Sequence, residues 1–244
     1  MTETTLIATD LDGTFIGDDE AMVSLWKSLE ERGYVVGFST GRHLKSIQGF
    51  YAEKQTARRA DVCVCMVGTD IHFRRCEEYH LDAGWHDIIG HAWDKQKVSK
   101  IVDSIPEARL QDQQWQSPFK SSYYLEENAD ARLAEIHERL GSVGLQAKVV
   151  YSVGKFLDLL PIRSGKGEAV KYVAAKVGAT PENVVTCGDT GNDLDMMREE
   201  LGFRSIVVGN AEAELKRFGG PRVYHAKAAY AAGIREGLEA FGLL

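Results

Sequence analysis

Cysteine is scarce in this chain, with four residues in 244: Cys63, Cys65, Cys76 and Cys187. A structural zinc site needs four ligands at suitable spacing, and only Cys63 and Cys65 stand close together. Both fall in the apolar run Val62-Cys63-Val64-Cys65-Met66-Val67, which reads as a buried strand, so reduced core thiols are expected. The histidines form no better metal set, because His86 and His91 are five apart and do not share a helical face as a spacing of four would. Dense blocks of lysine and arginine are missing; Arg58-Arg59 and Arg74-Arg75 are isolated pairs in a chain of formal net charge −7. That balance argues against nucleic acid as a partner. No apolar run approaches the length of a membrane span. The polar stretch Met1–Thr5 leads into an apolar run cut short by Asp10 and Asp12, which is not a signal-peptide pattern. A cytoplasmic protein with no membrane partner is expected. Internal repeats and low-complexity segments are absent too.

What is present is the composition of an ordinary soluble protein, 44% hydrophobic and 27% charged. Short apolar runs alternate with helical patterns. Leu6–Thr9, Tyr34–Ser39 and Val62–Val67 read as strands, with helices over Glu20–Arg32 and Arg42–Glu53 between them. The last third repeats this order: helix Gly167–Val177, strand Asn183–Cys187, helix Leu194–Glu200, strand Arg204–Val208, then helices Ala211–Phe218 and Ala229–Phe241. Such alternation implies parallel strands with helical crossovers. The middle differs, with helical stretches around Trp85–Ser104, strand-like Pro118–Glu126, a helix over Ala129–Leu140, and strands Leu145–Tyr151 and Phe156–Leu160. The fold class expected is α/β: a doubly wound parallel, Rossmann-like sheet core from 1–81 and 162–244, with an inserted smaller α+β cap domain over 82–161.

Four short motifs carry chemistry. Asp10-Leu11-Asp12-Gly13-Thr14 follows the first strand and puts two carboxylates where open α/β sheets bind ligands. Ser39-Thr40-Gly41-Arg42 follows the second strand and opens a helix, where a hydroxyl and free backbone amides make an anion site. Ser164-Gly165-Lys166-Gly167 opens another helix and adds a cation. Gly188-Asp189-Thr190-Gly191-Asn192-Asp193 supplies oxygen ligands suited to a hard cation such as magnesium, without the spacing of an EF-hand. Alone, each has a plainer reading as a solvated turn, an N-cap or an exposed lysine. Together they converge on one edge of a parallel sheet.

The four motifs in this order resemble the haloacid dehalogenase superfamily. Pro118-Phe119-Lys120-Ser121-Ser122-Tyr123, Tyr151-Ser152-Val153-Gly154-Lys155 and Asp158-Leu159-Leu160-Pro161 resemble the sucrose-phosphate phosphatases within it. The similarity covers essentially the whole chain. Two departures are visible: Gly165 stands where many cap-bearing relatives carry serine, and Phe119 where some carry histidine.

The resemblance implies a magnesium-dependent sugar phosphatase working through an aspartyl phosphate, with sucrose 6-phosphate as substrate. Mannosylfructose phosphate or glucosylglycerol phosphate is the alternative. It implies Asp10 as nucleophile, Asp12 as acid and then base, and Thr40 and Lys166 on the phosphoryl oxygens. Asp10, the backbone carbonyl of Asp12, Asp189 and Asp193 would hold Mg2+. Lys120, Tyr123, Ser152, Lys155 and Asp158 are candidate sugar contacts, and Gly41, Arg42, Asp70 and Asn192 further substrate-side residues; Gly41, Arg42 and Asn210 also brace the site. A phosphomutase, a general metabolite phosphatase and a non-catalytic sugar-phosphate sensor are the rival readings. A glycosyltransferase (synthase) is a candidate partner. Hinges are expected near Asp82 and Pro161–Ser164.

Overall fold

The computed structural model describes residues 3–54 and 58–244; residues 1–2 and 55–57 of the expected core range lie outside them. Its strands are β1 (Leu6–Thr9), β2 (Val35–Ser39), β3 (Val62–Cys65), β4 (Asp70–Arg75), β5 (Glu78–Leu81), β6 (Arg109–Leu110), β7 (Ser121–Tyr124), β8 (Ala147–Ser152), β9 (Phe156–Pro161), β10 (Val184–Gly188), β11 (Arg204–Val207) and β12 (Val223–His225). Eight form one sheet in the order β12-β11-β10-β1-β2-β3-β4-β5, and four form a second in the order β6-β7-β9-β8.

In the large sheet β12 to β3 run parallel. All residues of β1, β3 and β10 are buried, as expected of strands covered on both faces. The helix Asp19–Glu31 starts where the Asp18 side chain accepts from the Ala21 N–H, and it buries Met22, Leu25, Trp26 and Leu29 along one stripe. Trp26 meets Phe15 and Phe38 with ring centroids 4.9 and 5.8 Å away. Burying each such ring contributes on the order of 2 kcal/mol or more. Because β1 lies between β10 and β2, chain order reverses at its C-terminal end, the place where such sheets open a crevice.

The parallel, Rossmann-like core is present as expected, and it carries an antiparallel addition at one edge. β4 runs antiparallel to β3, and β5 antiparallel to β4. The apolar run Val62–Val67 is not strand throughout: Met66, Val67 and Gly68 take φ of 53°, 60° and 89°, and this tight turn reverses the chain. The expected helix Leu194–Glu200 also stops early, at Met197. Arg198 Nε donates to the Asp195 carbonyl at 2.9 Å, and Arg198 itself leaves the helical region with φ −53° and ψ 135°.

The second sheet is antiparallel throughout. With the helices Lys95–Val102 and Ala129–Ser142 it encloses its own apolar cluster, which includes Val98, Tyr123, Ile136, Leu157 and Leu159. The helix Ala83–Gly90 packs differently: its Trp85 and Ile89 join the core of the large sheet. Period-two alternation sends Tyr123, Leu157 and Leu159 to the helices. The opposite face, with Lys120, Tyr124, Phe156 and Asp158, lines the cleft toward the large sheet.

Candidate active site

Asp10 follows β1, and its N–H donates to the Cys187 carbonyl at 2.8 Å, fixing its backbone between two central strands. Lys166 opens the helix Lys166–Val177 and is 1% exposed. Its ammonium donates to Asp10 Oδ1 and to Asp193 Oδ1, both at 2.7 Å. Asp193 is fully buried, and its Oδ2 accepts from the Asp189 and Thr190 N–H groups at 3.0 and 3.1 Å. Asp189 Oδ1 accepts from Thr14 Oγ1 at 2.8 Å. Gly13 lets these loops close: its φ is +80°, and a Cβ there would lie 2.3 Å from Asp189 Oδ2. Asn210 holds the Gly13 carbonyl at 2.7 Å and accepts from the Tyr230 N–H at 2.9 Å, so it braces the turn from behind.

Carboxylate oxygens of Asp10, Asp189 and Asp193 all lie within 4.8 Å of one another. Burial, with Asp193 adding to it and Lys166 opposing it, pushes Asp10 up to about 8. Burial, with help from Asp193, pushes Asp189 up to about 6. Burial pulls Lys166 down, but Asp10 and Asp193 outweigh it and the net direction is upward. Three carboxylates thus face one ammonium, leaving two formal negative charges in a space shielded from water. An oxygen-ligated divalent cation fits that balance.

Thr40 directly follows β2, is 1% exposed, and accepts from the Arg42 N–H at 3.2 Å. The Arg42 guanidinium reaches across to the Asp12 carboxylate. These residues and Asp10 floor a cleft of about 330 Å³. Its other wall comes from the second sheet, with Lys120, Tyr124, Ser152, Phe156 and Asp158. Lys120 Nζ lies 3.3 Å from Asp158 Oδ1, which also accepts from Ser122 Oγ at 2.6 Å. Asn192 lines the cleft as well, and its buried Oδ1 has no hydrogen-bond partner among the described residues.

Three expected substrate-side residues are placed elsewhere. Asp70 is paired with His86 Nε2 at 2.9 Å and does not line the cleft. Tyr123 is fully buried under the small sheet, where its hydroxyl donates to Asp103 Oδ1 at 2.9 Å. Lys155 is not among the residues that line the cleft, and its ammonium sits 4.9 Å from the centre of the Phe156 ring. Conversely, Gln111, Trp115, Tyr124 and Phe156 line the cleft without having been expected there. Period two counted from Lys120 reaches Tyr124 rather than Tyr123, and Phe156 is its cross-strand partner. Gln111 and Trp115 lie in and beside a two-residue strand and a single 3₁₀ turn, which leave no periodic signal.

Comparison with known proteins agrees with this geometry. The chain is 31% identical to sucrose-phosphatase 1 of Nicotiana tabacum, over 98% of this chain and 59% of that protein. It is 32% identical to the mannosylfructose-phosphate phosphatase of Agrobacterium fabrum, over 98% of this chain and 97% of the relative. The chain therefore spans about three fifths of the plant relative and nearly all of the bacterial one. The X-ray structure of the sucrose-phosphatase from Synechocystis sp. PCC6803, in complex with sucrose and phosphate, superposes with a TM-score of 0.90 at 29% identity, covering 99% of both chains. A haloacid dehalogenase-like hydrolase from Bacillus subtilis shares the fold at a TM-score of 0.72 and 20% identity, over 99% of this chain and 93% of that one. The profile of the family described as sucrose-6F-phosphate phosphohydrolase matches residues 3–242, and the chain belongs to that family.

Proposed function

We propose that this protein is a magnesium-dependent phosphatase acting on a disaccharide phosphate, with sucrose 6-phosphate as first candidate and mannosylfructose phosphate as second. The observation that carries this reading is one cleft with two chemically distinct walls. On one side Asp10, Thr40 and the nearby Lys166 suit a phosphate. On the other, polar Lys120, Ser152 and Asp158 beside the rings of Tyr124 and Phe156 suit the hydroxyls and apolar faces of a sugar. The named relatives act on phosphorylated disaccharides, which narrows the sugar.

In this reading Asp10 attacks phosphorus in line and becomes an aspartyl phosphate. Asp12 gives a proton to the departing sugar oxygen, then takes one from the water that cleaves the intermediate. Lys166 and Thr40 hold the phosphoryl oxygens and stabilise the charge that develops on them. Asp10, Asp189 and Asp193, with the Asp12 carbonyl, would hold Mg2+, which offsets repulsion between the nucleophile and the phosphate when bound. Residues 82–161 act as a cap that delivers the sugar contacts and opens near Asp82 and Pro161–Ser164 for substrate entry. A cytoplasmic location is part of this reading; among the described residues no helix is long and apolar enough to cross a membrane. A glycosyltransferase partner would supply the phosphorylated sugar, and size-exclusion chromatography of the two proteins mixed tests that contact.

The reaction is tested by phosphate release from sucrose 6-phosphate, mannosylfructose phosphate, glucosylglycerol phosphate and simple hexose phosphates, with magnesium present. One disaccharide phosphate should be turned over far faster than the hexose phosphates. Uniform weak activity across the panel would contradict the sugar assignment.

A further inference from the structure

Gly165, directly before Lys166, has a structural consequence of its own. Gly165 is the N-cap of the helix Lys166–Val177, with φ +108° and no side chain to cap the exposed helix amides. The missing cap comes from another element. Asp195 Oδ2 accepts from the Gly167 N–H at 2.9 Å, in the first turn of that helix. Lys148, on β8 of the small sheet, donates to both oxygens of the same carboxylate, at 3.0 and 3.2 Å. These side chains are about one fifth exposed, at 19% and 21%, so water screens the contact only in part. Gly165 makes room for the arrangement: a Cβ there would lie 2.4 Å from Asp195 Oδ2 and 2.6 Å from Lys148 Nζ. On the same side Arg198 links the Asp195 carbonyl to Glu168, so the first helical turn is fastened at one further point.

We propose that Lys148 is a positioning residue. Through Asp195 it sets the start of the helix that carries Lys166, so the seating of the small sheet on the large one is felt at the phosphate site. The path is short. Lys148 orients and neutralises the Asp195 carboxylate, the carboxylate holds the Gly167 N–H, and the residue before Gly167 carries the ammonium between Asp10 and Asp193. Freed from Lys148, the Asp195 carboxylate lacks its fixed partner and caps the helix less well. Lys166 then holds its two carboxylates, and its own place at the phosphate site, with less precision. Small displacements of a charge-stabilising group lower turnover steeply. The small sheet thereby acts on catalysis itself, in addition to contacting the sugar. This inference rests on the proposed role of Lys166 in phosphate transfer.

The test compares wild type, Lys148→Met and Lys148→Arg. Methionine keeps the length of the side chain without its charge, and arginine restores the charge. Two readouts are needed: kcat and KM with magnesium on sucrose 6-phosphate and on p-nitrophenyl phosphate, and hydrogen–deuterium exchange of peptides covering 165–170. In Lys148→Met exchange over 165–170 should quicken several-fold. Its kcat should fall about 10-fold on both substrates, or ~1.4 kcal/mol of transition-state stabilisation, and Lys148→Arg should restore both. The aryl phosphate matters because it has no sugar for the small sheet to hold. A loss confined to sucrose 6-phosphate would reduce Lys148 to an anchor of the sugar-binding wall and overturn the proposal, as would unchanged exchange in Lys148→Met. If wild type hydrolysed neither phosphate, the proposed function would fail. The exchange experiment would then decide the network by itself, faster exchange reversed by arginine supporting it and unchanged exchange overturning it.

Discussion

Arg42 donates to both carboxylate oxygens of Asp12, through Nε at 2.7 Å and through Nη2. This two-point contact fixes the orientation of the proposed acid against the arginine fork. In the proposed mechanism Asp12 gives a proton to the departing sugar oxygen. A sugar alkoxide leaves poorly without a proton, whereas p-nitrophenolate leaves well. Asp12→Asn should therefore lower the rate of alcohol release from sucrose 6-phosphate by about 100-fold or more. The first release of p-nitrophenol should stay rapid and stop after one equivalent per enzyme, because the variant lacks the base for the second step. Stopped-flow absorbance reads that burst, and equal damage to both first steps would remove Asp12 from the acid role.

The acidic cluster makes stability depend on pH and on metal together. Asp10 has a folded-state pKa of about 8 against an ordinary 3.8, and Asp189 about 6, raised chiefly by burial. For raised acids the native chain holds protons more tightly than the unfolded chain. Their contribution is complete below the ordinary carboxylate value and is lost as pH rises through the folded values. Without divalent metal, the melting temperature should fall between pH 5 and pH 8. Magnesium would bind the ionised carboxylates, so it should raise the melting temperature more at pH 8 than at pH 5. Calorimetry in EDTA and in magnesium checks this, and an equal or larger gain at pH 5 would contradict it.

Val153 stands at the tip of the β8–β9 hairpin with φ +54°, followed by Gly154 at +64°, and the Lys155 N–H donates to the Ser152 carbonyl at 3.2 Å. Both central φ values are positive, which suits Asn-Gly and strains a β-branched residue by ~1–2 kcal/mol. Val153 also lines the cleft, so the strain sits where substrate would bind. Val153→Asn should raise stability by about 1 kcal/mol while lowering kcat/KM for the disaccharide phosphate several-fold. Urea unfolding beside steady-state kinetics separates these effects; a variant both less stable and fully active would refute the account of this turn.

Of the four thiols, Cys63, Cys65 and Cys187 are buried and Cys76 is exposed. Burial raises Cys63 to about 12 and pushes Cys65 and Cys187 up as well, so all three stay protonated near neutral pH. A thiol-disulfide reagent should titrate one equivalent in the native protein and four in urea. Rapid titration of two or more in the native state would mean that β3 or β10 is more open than described.

The phosphate side of the cleft was readable from sequence because each of its motifs directly follows or precedes a regular element. Asp10, Thr40, Lys166, Asp189 and Asp193 need only the rule that parallel strand ends converge, and the structure brings all five together. The sugar side depends on which face of a strand meets the cleft. Tyr123 and Tyr124 differ by one residue and point to opposite faces, so naming the run without its register selected the buried ring. Asp70 follows an apolar run that looked like one strand, but the left-handed turn at Met66 and Val67 carries it away to pair with His86. Left-handed backbone at non-glycine residues has no dependable sequence signal. The Lys148–Asp195 contact joins residues 47 apart in sequence, and spacing alone does not reveal it.

The central claim is that Asp10 becomes phosphorylated by the sugar phosphate. The most direct test mixes enzyme, magnesium and excess sucrose 6-phosphate, quenches within milliseconds, reduces with borohydride and maps the modified peptide by mass spectrometry. Conversion of Asp10 to homoserine, dependent on substrate and absent from Asp10→Asn, is the predicted result. Full phosphate release with no modification at Asp10, or undiminished release by Asp10→Asn, would contradict the account.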